Sequence, residues 1–280
     1  MHITSRDNSL LRQVRAVRDG KVEDLIFVEG LRLCEEAYRS NLEIEAVVVS
    51  EELSRKERAA GAIAQLSKVS KRTASVSEKL LESVSYTKTP QGIIVLAQRP
   101  EASEARLAAS LDANPLLVLL HQINNPVNVG AILRTSEAAG ATGVITTSNT
   151  SDPFSPKSLR GAMGSAFRLP IWRSADYADT IQWCRQRDIK TICADVEATT
   201  PYTSINWTAP SALLLGPEST GFMPEELELA DKKVGIPMKG KAESLNVAVA
   251  AGILLFEAAR QRGQNISPQK GTKGTKKFKT

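Results

Sequence analysis

Apolar and polar positions along the chain follow two successive series of strand-like and helix-like segments. In the first hundred residues, the apolar runs 25–28, 46–49 and 93–97 have the length of buried strands, and 54–66 has the pattern of a helix. Two further helices have apolar faces at Leu10, Leu11, Val14 and Val17 and at Leu33, Cys34 and Ala37. This alternation predicts a small α/β unit.

The second series begins at residue 114 and ends near residue 262. A continuous apolar run at 116–120 is typical of a strand covered on both faces of a sheet, and further strands are predicted at 143–146, 191–194 and 213–215. Helices are predicted at 131–140, 177–186 and 224–230. Strands and helices that alternate in this order form a mostly parallel sheet, whose ligands bind beyond the carboxyl ends of the strands.

The last helix of this series is apolar and has two polar residues at its start. A short strand is predicted at Val234 and Ile236, and Ser244 is the predicted N-cap of the helix. Its predicted buried face is Leu245, Ala248, Val249, Gly252, Ile253 and Phe256. The helix is too short to span a membrane. Ser244 and Asn246 fit either an ordinary capped core helix or a helix start that holds a polar ligand.

Four segments are predicted from these patterns. Residues 1–100 form a binding unit, 101–113 a linker helix, 114–265 the second unit and 266–280 a disordered basic tail. The first unit is interpreted as binding because it shows no carboxylate pair and no nucleophile with a base. The start of the chain has no apolar signal region, so a cytoplasmic location is expected.

Charge and cysteine content narrow the chemistry. The net charge is +5, and the tail alone carries five lysines and no acid, which fits either affinity for a polyanion or an aid to solubility. The three cysteines form no CxxC pair, which favours reduced buried thiols. With only two histidines in the chain, no metal site is expected.

Three loops at predicted strand ends are dense in Gly, Pro and Asn: HQINNPVNVGAILR (121–134), GPESTGF (216–222) and IPMKGKAESLN (236–246). They match neither GxGxxG nor GxxxxGK[ST], so a dinucleotide or P-loop site is poorly supported. Taken singly, Asn128 fits a helix cap, Arg134 a structural ion pair and GPE a turn. Together the loops place polar side chains at one end of one sheet, as in a ligand site: Asn124, Asn125, Asn128, Glu218, Ser244 and Asn246.

These motifs, in this order, resemble those of the SpoU (TrmH-type) RNA methyltransferases of the SPOUT superfamily. The motifs are NPVNVGAILRTSEAAGATGV, LLLGPESTGF and IPMKGKAESLNVAVAAGILLFEAARQR, and SLRGAMGSAFRLPI resembles the segment between the first two. The first unit, from ITSRDNSLLRQ through FVEGLRLCEEA to TPQGIIVLA, resembles the SpoU substrate-binding domain. GPES stands where GSEG is commoner, and Ala248 stands where Ser is frequent, which weakens a role for Pro217, Ser219 or Ala248.

The resemblance implies methyl transfer from S-adenosylmethionine to a ribose 2′-hydroxyl, with large-subunit rRNA favoured over tRNA. It also implies a SPOUT domain with a deep trefoil knot and a homodimer whose active sites lie near the subunit interface. The cofactor-binding residues that it implies are Leu215, Gly216, Ile236, Met238, Ser244 and Leu245. The catalytic residues that it implies are Asn128, Arg134, Glu218, Ser244 and Asn246. Because arginine is always protonated, Arg134 is expected to stabilise an alkoxide rather than to act as a base.

Two groups of basic residues are candidates for RNA contact. Arg12 and Arg15 project from the first helix, and Lys157, Arg160 and Arg168 lie in or near a span, 154–175, without any acidic residue. Solvated cationic surfaces are the alternative. Two rival functions are a non-catalytic RNA-binding or ribosome-assembly protein of the same fold and an enzyme that modifies a base nitrogen. The intact motif residues argue against the first, and the asparagine and arginine of the first motif argue against the second.

Overall fold

A computed structural model describes residues 1–263, and its first unit is built on a five-stranded sheet in the order β1-β4-β3-β5-β2. β5 pairs antiparallel with β2 and β3, and the other pairs are parallel. The elements of this unit are β1 (His2–Ile3), α1 (Ser9–Arg18), β2 (Leu25–Glu29), α2 (Leu31–Arg39), β3 (Ile44–Ser50), α3 (Glu51–Ser54), α4 (Glu57–Val69), β4 (Arg72–Val76), α5 (Glu78–Val84) and β5 (Ile93–Gln98).

Helices cover both faces of this sheet because its strands are apolar on both sides. The predicted faces of α1 and α2 are buried as expected, so both predictions are confirmed. α1 and α5 pack on one face, with Phe27 and Val48, while α2 and α4 pack on the other, with Ile26 and Val47. The unit therefore has two cores on opposite sides of one sheet.

The second unit contains a six-stranded sheet in which every neighbouring pair is parallel, in the order β11-β9-β10-β6-β7-β8. The predicted α/β fold with a mostly parallel sheet is confirmed. Its elements, with the helix that precedes it, are α6 (Glu104–Ala109), β6 (Leu116–Leu120), α7 (Pro126–Ala138), β7 (Gly143–Thr147), α8 (Pro156–Ala162), α9 (Ser165–Arg168), β8 (Ile171–Ala175), α10 (Tyr177–Arg185), β9 (Lys190–Ala194), β10 (Ser211–Leu215), α11 (Pro224–Leu229), β11 (Lys232–Val234) and α12 (Val247–Gln261).

The two units share a core and are joined by charged contacts. Ile26 and Val28 of β2 belong to the same apolar cluster as Leu159 and Ala162 of α8. Arg168 at the end of α9 pairs with Glu36 of α2 at 2.6 Å, and also with Glu137 of α7. A buried apolar contact and an ion pair thus fix α2 against the helices that follow β6 and β7.

The last helix differs from its prediction in two respects. Its N-cap is Asn246, whose Oδ1 accepts from the Ala248 amide at 2.9 Å, whereas the predicted cap Ser244 lies two residues before it in the loop. The predicted buried face is wrong in part: Ala248 and Phe256 pack partly buried on the core, but Val249 is 52% exposed. The residues that are fully buried are Ala251, Leu254, Leu255, Ala258 and Ala259. α12 is apolar on both sides, so spacing alone did not distinguish the face that packs on the core.

Other element boundaries also differ from the prediction. The helix predicted at 54–66 is two helices, α3 and α4, and the strand predicted to reach Ile236 ends at Val234. β4 and α5 lie in a stretch for which no element was predicted. The predicted linker forms α6, whose Leu107 is fully buried in the core of the second unit. The domain boundaries and the trefoil knot stay predictions, and the predicted tail 266–280 lies outside the described residues.

Across residues 1–263, every helix is too short or too polar to cross a lipid bilayer. The same residues contain no group of three or more His, Cys, Asp or Glu side chains arranged to hold a metal ion.

Candidate active site

The first motif forms the start of α7, which is held close to α8 by two glycines. Asn125 caps the helix by accepting from the Val127 amide at 3.0 Å, and Pro126 occupies the first turn, where its missing N–H costs nothing. A Cβ on Gly130 would lie only 2.9 Å from the Cα of Gly161 on α8. The crossing requires glycine at this position, and it fixes the turn of α7 that carries Asn128.

Asn128 joins all three loops. Its side chain is buried, with 8% of the residue exposed, and its Nδ2 donates to Oε1 of Glu218 in the second loop. Its Oδ1 accepts from Nδ2 of Asn246, the last residue of the third loop, at 3.3 Å. The expectation that the loops meet at one edge of the sheet is confirmed, because carboxyl ends of parallel strands share an edge. Asn128 is therefore no helix cap but the centre of a hydrogen-bonded chain.

Backbone groups of the third loop are free to bind a ligand. Within residues 1–263, none of the backbone N–H or C=O groups of residues 236–245 takes part in a hydrogen bond. Such a run of unpaired donors and acceptors between β11 and α12 is suited to the polar edges of a bound molecule. Ile236 and Leu245 are half-buried there, whereas Met238 and Ser244 are exposed.

The second loop is closed by an aromatic ring. Gly216 follows Leu215, the buried last residue of β10, and a Cβ on Gly216 would lie 2.6 Å from the ring of Phe222. The loop therefore folds back so that Phe222 covers the Gly216 backbone, which only glycine permits. This fold leaves Glu218 at the exposed tip, facing Asn128.

Arg134 is not joined to this chain of side chains. It lies six residues beyond Asn128, which is about 9 Å along the helix axis and about two thirds of a turn around it. The residue is exposed, and it forms no ion pair with any residue between 1 and 263. The structural ion pair considered for Arg134 is therefore absent from the described chain.

The predicted RNA-contacting cations fall into three settings. Lys157 and Arg160 are exposed on α8, one turn apart, and neither is ion-paired within the described part of the chain. Arg168 is bound by Glu36 and Glu137, and this pairing lowers the pKa of the Glu137 carboxyl. Arg12 and Arg15 lie on α1, across the first sheet from the second unit. The five residues therefore stand on three different helices, α1, α8 and α9.

Sequence patterns missed a cluster around His121, directly after β6. His121 is 3% exposed; its Nε2 lies 2.9 Å from Oε1 of Glu226, and its ring stacks on Phe222. Glu226 is 105 residues away in the chain, so no local spacing could have indicated the pair. One feature of the sequence could have indicated a role for this residue: His121 is a single polar histidine between the apolar run 116–120 and the first motif.

The three cysteines are buried and free, as predicted. Burial raises the pKa of each thiol, and that of Cys184 reaches about 12. These thiols therefore stay protonated at neutral pH, and they are inert as nucleophiles. Two surface cavities, of about 630 and 590 Å³, lie at the junction of the units and beside α2, away from the three loops.

Comparison with known proteins matches both units. The model of the SpoU rRNA Methylase family matches residues 115–256, and that of the MRM3-like substrate binding domain matches residues 10–95. The 23S rRNA (guanosine(2553)-2′-O)-methyltransferase RlmP of Bacillus subtilis is 29% identical over 88% of this chain and 98% of its own length. The 23S rRNA (guanosine-2′-O-)-methyltransferase RlmB of Pseudomonas syringae is 36% identical over 59% of this chain and 67% of its own length.

Solved structures show the same arrangement of both units. The AdoMet-bound rRNA methyltransferase of Sinorhizobium meliloti has a TM-score of 0.80 at 29% identity, covering 93% of this chain and 97% of its own. The SpoU methyltransferase AviRb of Streptomyces viridochromogenes, in complex with AdoMet, has a TM-score of 0.81 at 26% identity, covering 92% and 99%. The protein thus belongs to the SpoU rRNA methylase family.

Proposed function

We propose that this protein transfers a methyl group from S-adenosylmethionine to a ribose 2′-hydroxyl of large-subunit rRNA. One structural observation carries the proposal: Asn128 links the three motif loops into one site through its bonds to Glu218 and Asn246. Relatives whose names state 23S rRNA 2′-O-methylation support the substrate class, and structures with bound AdoMet support the cofactor.

The loops have the chemistry that S-adenosylmethionine requires. The unpaired backbone groups of residues 236–245 offer donors and acceptors for the adenine and the amino-acid ends, and the half-buried Ile236 and Leu245 offer apolar walls. Leu215, Gly216, Met238 and Ser244 complete the proposed contacts. When bound, the cofactor supplies a methyl group on a sulfonium, which is already a good leaving group, so the protein's task is to align and activate a weak nucleophile.

Arg134 is the proposed activating residue. Its guanidinium stays charged at any physiological pH, so it acts by stabilising the oxygen as negative charge develops, and by gripping a neighbouring phosphate with its fork of N–H donors. Its exposed and unpaired state in the described chain leaves those donors available. Asn128, Glu218, Ser244 and Asn246 orient the ribose and the third loop.

A homodimer is part of this proposal. α12 presents Val249, Ile253 and Phe256 on one face, and that face is incompletely covered within one chain. A second copy packed there would bury the face, and it would put an active site next to residues of both copies. In the proposal, Arg134 of one copy serves the active site of the other, because Arg134 lies about two thirds of a turn around α7 from Asn128 of its own chain.

RNA contacts are proposed to centre on Lys157 and Arg160, which stand on the helix that crosses α7. Arg168 is the weakest of the proposed contacts, since two carboxylates already neutralise it. Arg12 and Arg15 are proposed to bind a separate part of the RNA. Each phosphate contact that is lost makes RNA affinity less dependent on salt concentration. Single substitutions, with affinity measured at several salt concentrations, therefore show which of these residues contact phosphates.

Purified protein, tritiated S-adenosylmethionine and unmethylated rRNA test the activity. We expect tritium in dinucleotides that resist alkali, because a 2′-O-methyl group blocks cleavage of the adjoining linkage. Tritium in alkali-released mononucleotides would indicate a base-modifying enzyme. Failure to bind S-adenosylmethionine in a calorimetric titration would favour the non-catalytic RNA-binding alternative. rRNA and tRNA compared as substrates in the same assay decide the RNA class.

A further inference from the structure

We infer that His121 is a positioning residue that holds the second motif loop in its active shape through Phe222 and Glu226. The expected effect on S-adenosylmethionine binding rests on the proposed function, whereas the contacts of His121 are observed in the structure. His121 touches none of the proposed catalytic groups, so its effect is exerted through the loop that carries Glu218.

His121 is bonded at both ring nitrogens in a buried setting. Nδ1 lies 3.1 Å from Oγ1 of Thr147 at the end of β7, and Nε2 lies 2.9 Å from Oε1 of Glu226 on α11. Its backbone N–H donates to the carbonyl of Leu215 at 2.9 Å. Because a carboxylate accepts hydrogen bonds, Nε2 carries the proton and donates to Glu226. Through its ring and its backbone, His121 therefore links the ends of three neighbouring strands, β6, β7 and β10, to α11.

Phe222 connects this histidine to Gly216, the first residue of the second loop. The rings of His121 and Phe222 are stacked, with centroids 5.6 Å apart and planes 8° apart. Phe222 also covers the backbone of Gly216, where a Cβ would come within 2.6 Å of the ring. The phenyl ring thus contacts both His121 and the first residue of the loop.

Glu226 secures the other end of the loop. Its Oε2 accepts from the Met223 amide at 2.8 Å, which caps α11, while Oε1 accepts from His121. The hydroxyl of Tyr177 donates to the Glu226 carbonyl at 3.1 Å, and its ring lies 4.6 Å from that of His121. One carboxylate therefore couples the histidine to the point where the loop becomes helix.

The loop between these anchors spans residues 216–223, and its tip carries Glu218, the partner of Asn128. Loss of the His121 ring would free Phe222 and one oxygen of Glu226 together, so the loop would sample open shapes. Binding of S-adenosylmethionine must then select the closed fraction, which raises its apparent dissociation constant. In the proposal RNA affinity comes from Lys157 and Arg160 on α8, outside this loop, and Glu218 only orients the ribose, so the KM for RNA should be unchanged.

The test compares His121→Ala and His121→Gln with a matched histidine control, His2→Ala, at the exposed start of β1. Calorimetry gives the dissociation constant of S-adenosylmethionine, steady-state kinetics give kcat and the KM for RNA, and thermal unfolding gives the folded fraction. Hydrogen exchange of residues 216–226, measured without cofactor, reports the loop itself.

We expect His121→Ala to weaken S-adenosylmethionine binding by about tenfold to a hundredfold, because the hydrogen bond from His121 to the charged carboxylate of Glu226 is lost. The KM for RNA should be unchanged. Exchange at 216–226 should rise. His121→Gln should recover part of the loss, because its amide can still donate to Glu226, and His2→Ala should match the wild type. Wild-type affinity and exchange in folded His121→Ala, or no recovery in His121→Gln, would overturn the inference. If the wild type binds no S-adenosylmethionine, the proposed function fails, while the exchange measurement still judges the role of His121 in the loop.

Discussion

The bond between Asn128 and Glu218 can be tested by exchanging the chemical character of its two ends. Asn128→Asp keeps the shape of the side chain and keeps Oδ1 as the acceptor for Asn246. It replaces the Nδ2 donor to Glu218 with a carboxylate oxygen. Two carboxylates then face each other across the junction of the first and second loops. The change therefore perturbs one contact and leaves the other bond of Asn128 in place.

The expected magnitude combines two effects. A hydrogen bond to a charged group contributes about 1.5–3 kcal/mol. Repulsion between the carboxylates adds about 1 kcal/mol, the value for water at 4 Å, because Glu218 is exposed. The sum of about 3 kcal/mol corresponds to roughly a hundredfold loss in the population of the closed site. We expect kcat/KM for S-adenosylmethionine to fall by about that factor.

The second substitution, Glu218→Gln, provides the decisive comparison. In the double variant, the new amide at position 218 donates to the new carboxylate at position 128, so the bond is restored with its direction reversed. The double variant should therefore be more active than Asn128→Asp alone. Asn125→Asp, which adds the same charge at the N-cap one turn earlier, should stay close to the wild type because aspartate caps helices well. Losses that simply add in the double variant would refute the proposed contact.

Three further predictions test the fold and the assembly. Gly130→Ala should lower the free energy of unfolding by about 1–3 kcal/mol, because the added methyl group forces α7 away from α8. The control Gly61→Ala, in an open part of α4, should raise it by about 0.5–1 kcal/mol. Thermal unfolding measures both changes, and equal effects would contradict the close contact between α7 and α8. Arg168→Met should destabilise the protein by about 1 kcal/mol at pH 7. The ion pair holds the pKa of the Glu137 carboxyl below its usual range, so the difference in the free energy of unfolding between variant and wild type should disappear as the pH falls through that lowered pKa. A difference that stays constant from pH 7 to 3 in urea titrations would contradict this prediction. Val249→Lys should shift the protein to monomers in light scattering, and an unchanged mass would exclude this face of α12 as the dimer contact.

Sequence patterns predicted the site well where it depends on parallel strands. The carboxyl ends of β6, β10 and β11 must share an edge, and the bonds from Asn128 to Glu218 and Asn246 confirm that their loops meet. Buried faces of α1 and α2 followed from helical spacing because only one side of each helix is apolar. The roles of the individual site residues stay predictions.

Long-range contacts account for what sequence patterns could not predict. α12 is apolar on two sides, and only packing against α7 and β10 shows which side is buried. Arg168 stands in a span without acids, yet its partners Glu36 and Glu137 come from far along the chain. The same holds for His121 and Glu226. Local periodicity contains no information about partners that meet only in the folded chain.

Mapping of ribose methylation in a strain that lacks the gene tests the central claim most directly. The account predicts that one 2′-O-methyl group disappears from large-subunit rRNA. It should return when the wild-type gene is restored, but not with Arg134→Ala, even though that variant binds S-adenosylmethionine with nearly normal affinity. An unchanged rRNA methylation map, or full restoration by Arg134→Ala, would contradict the account.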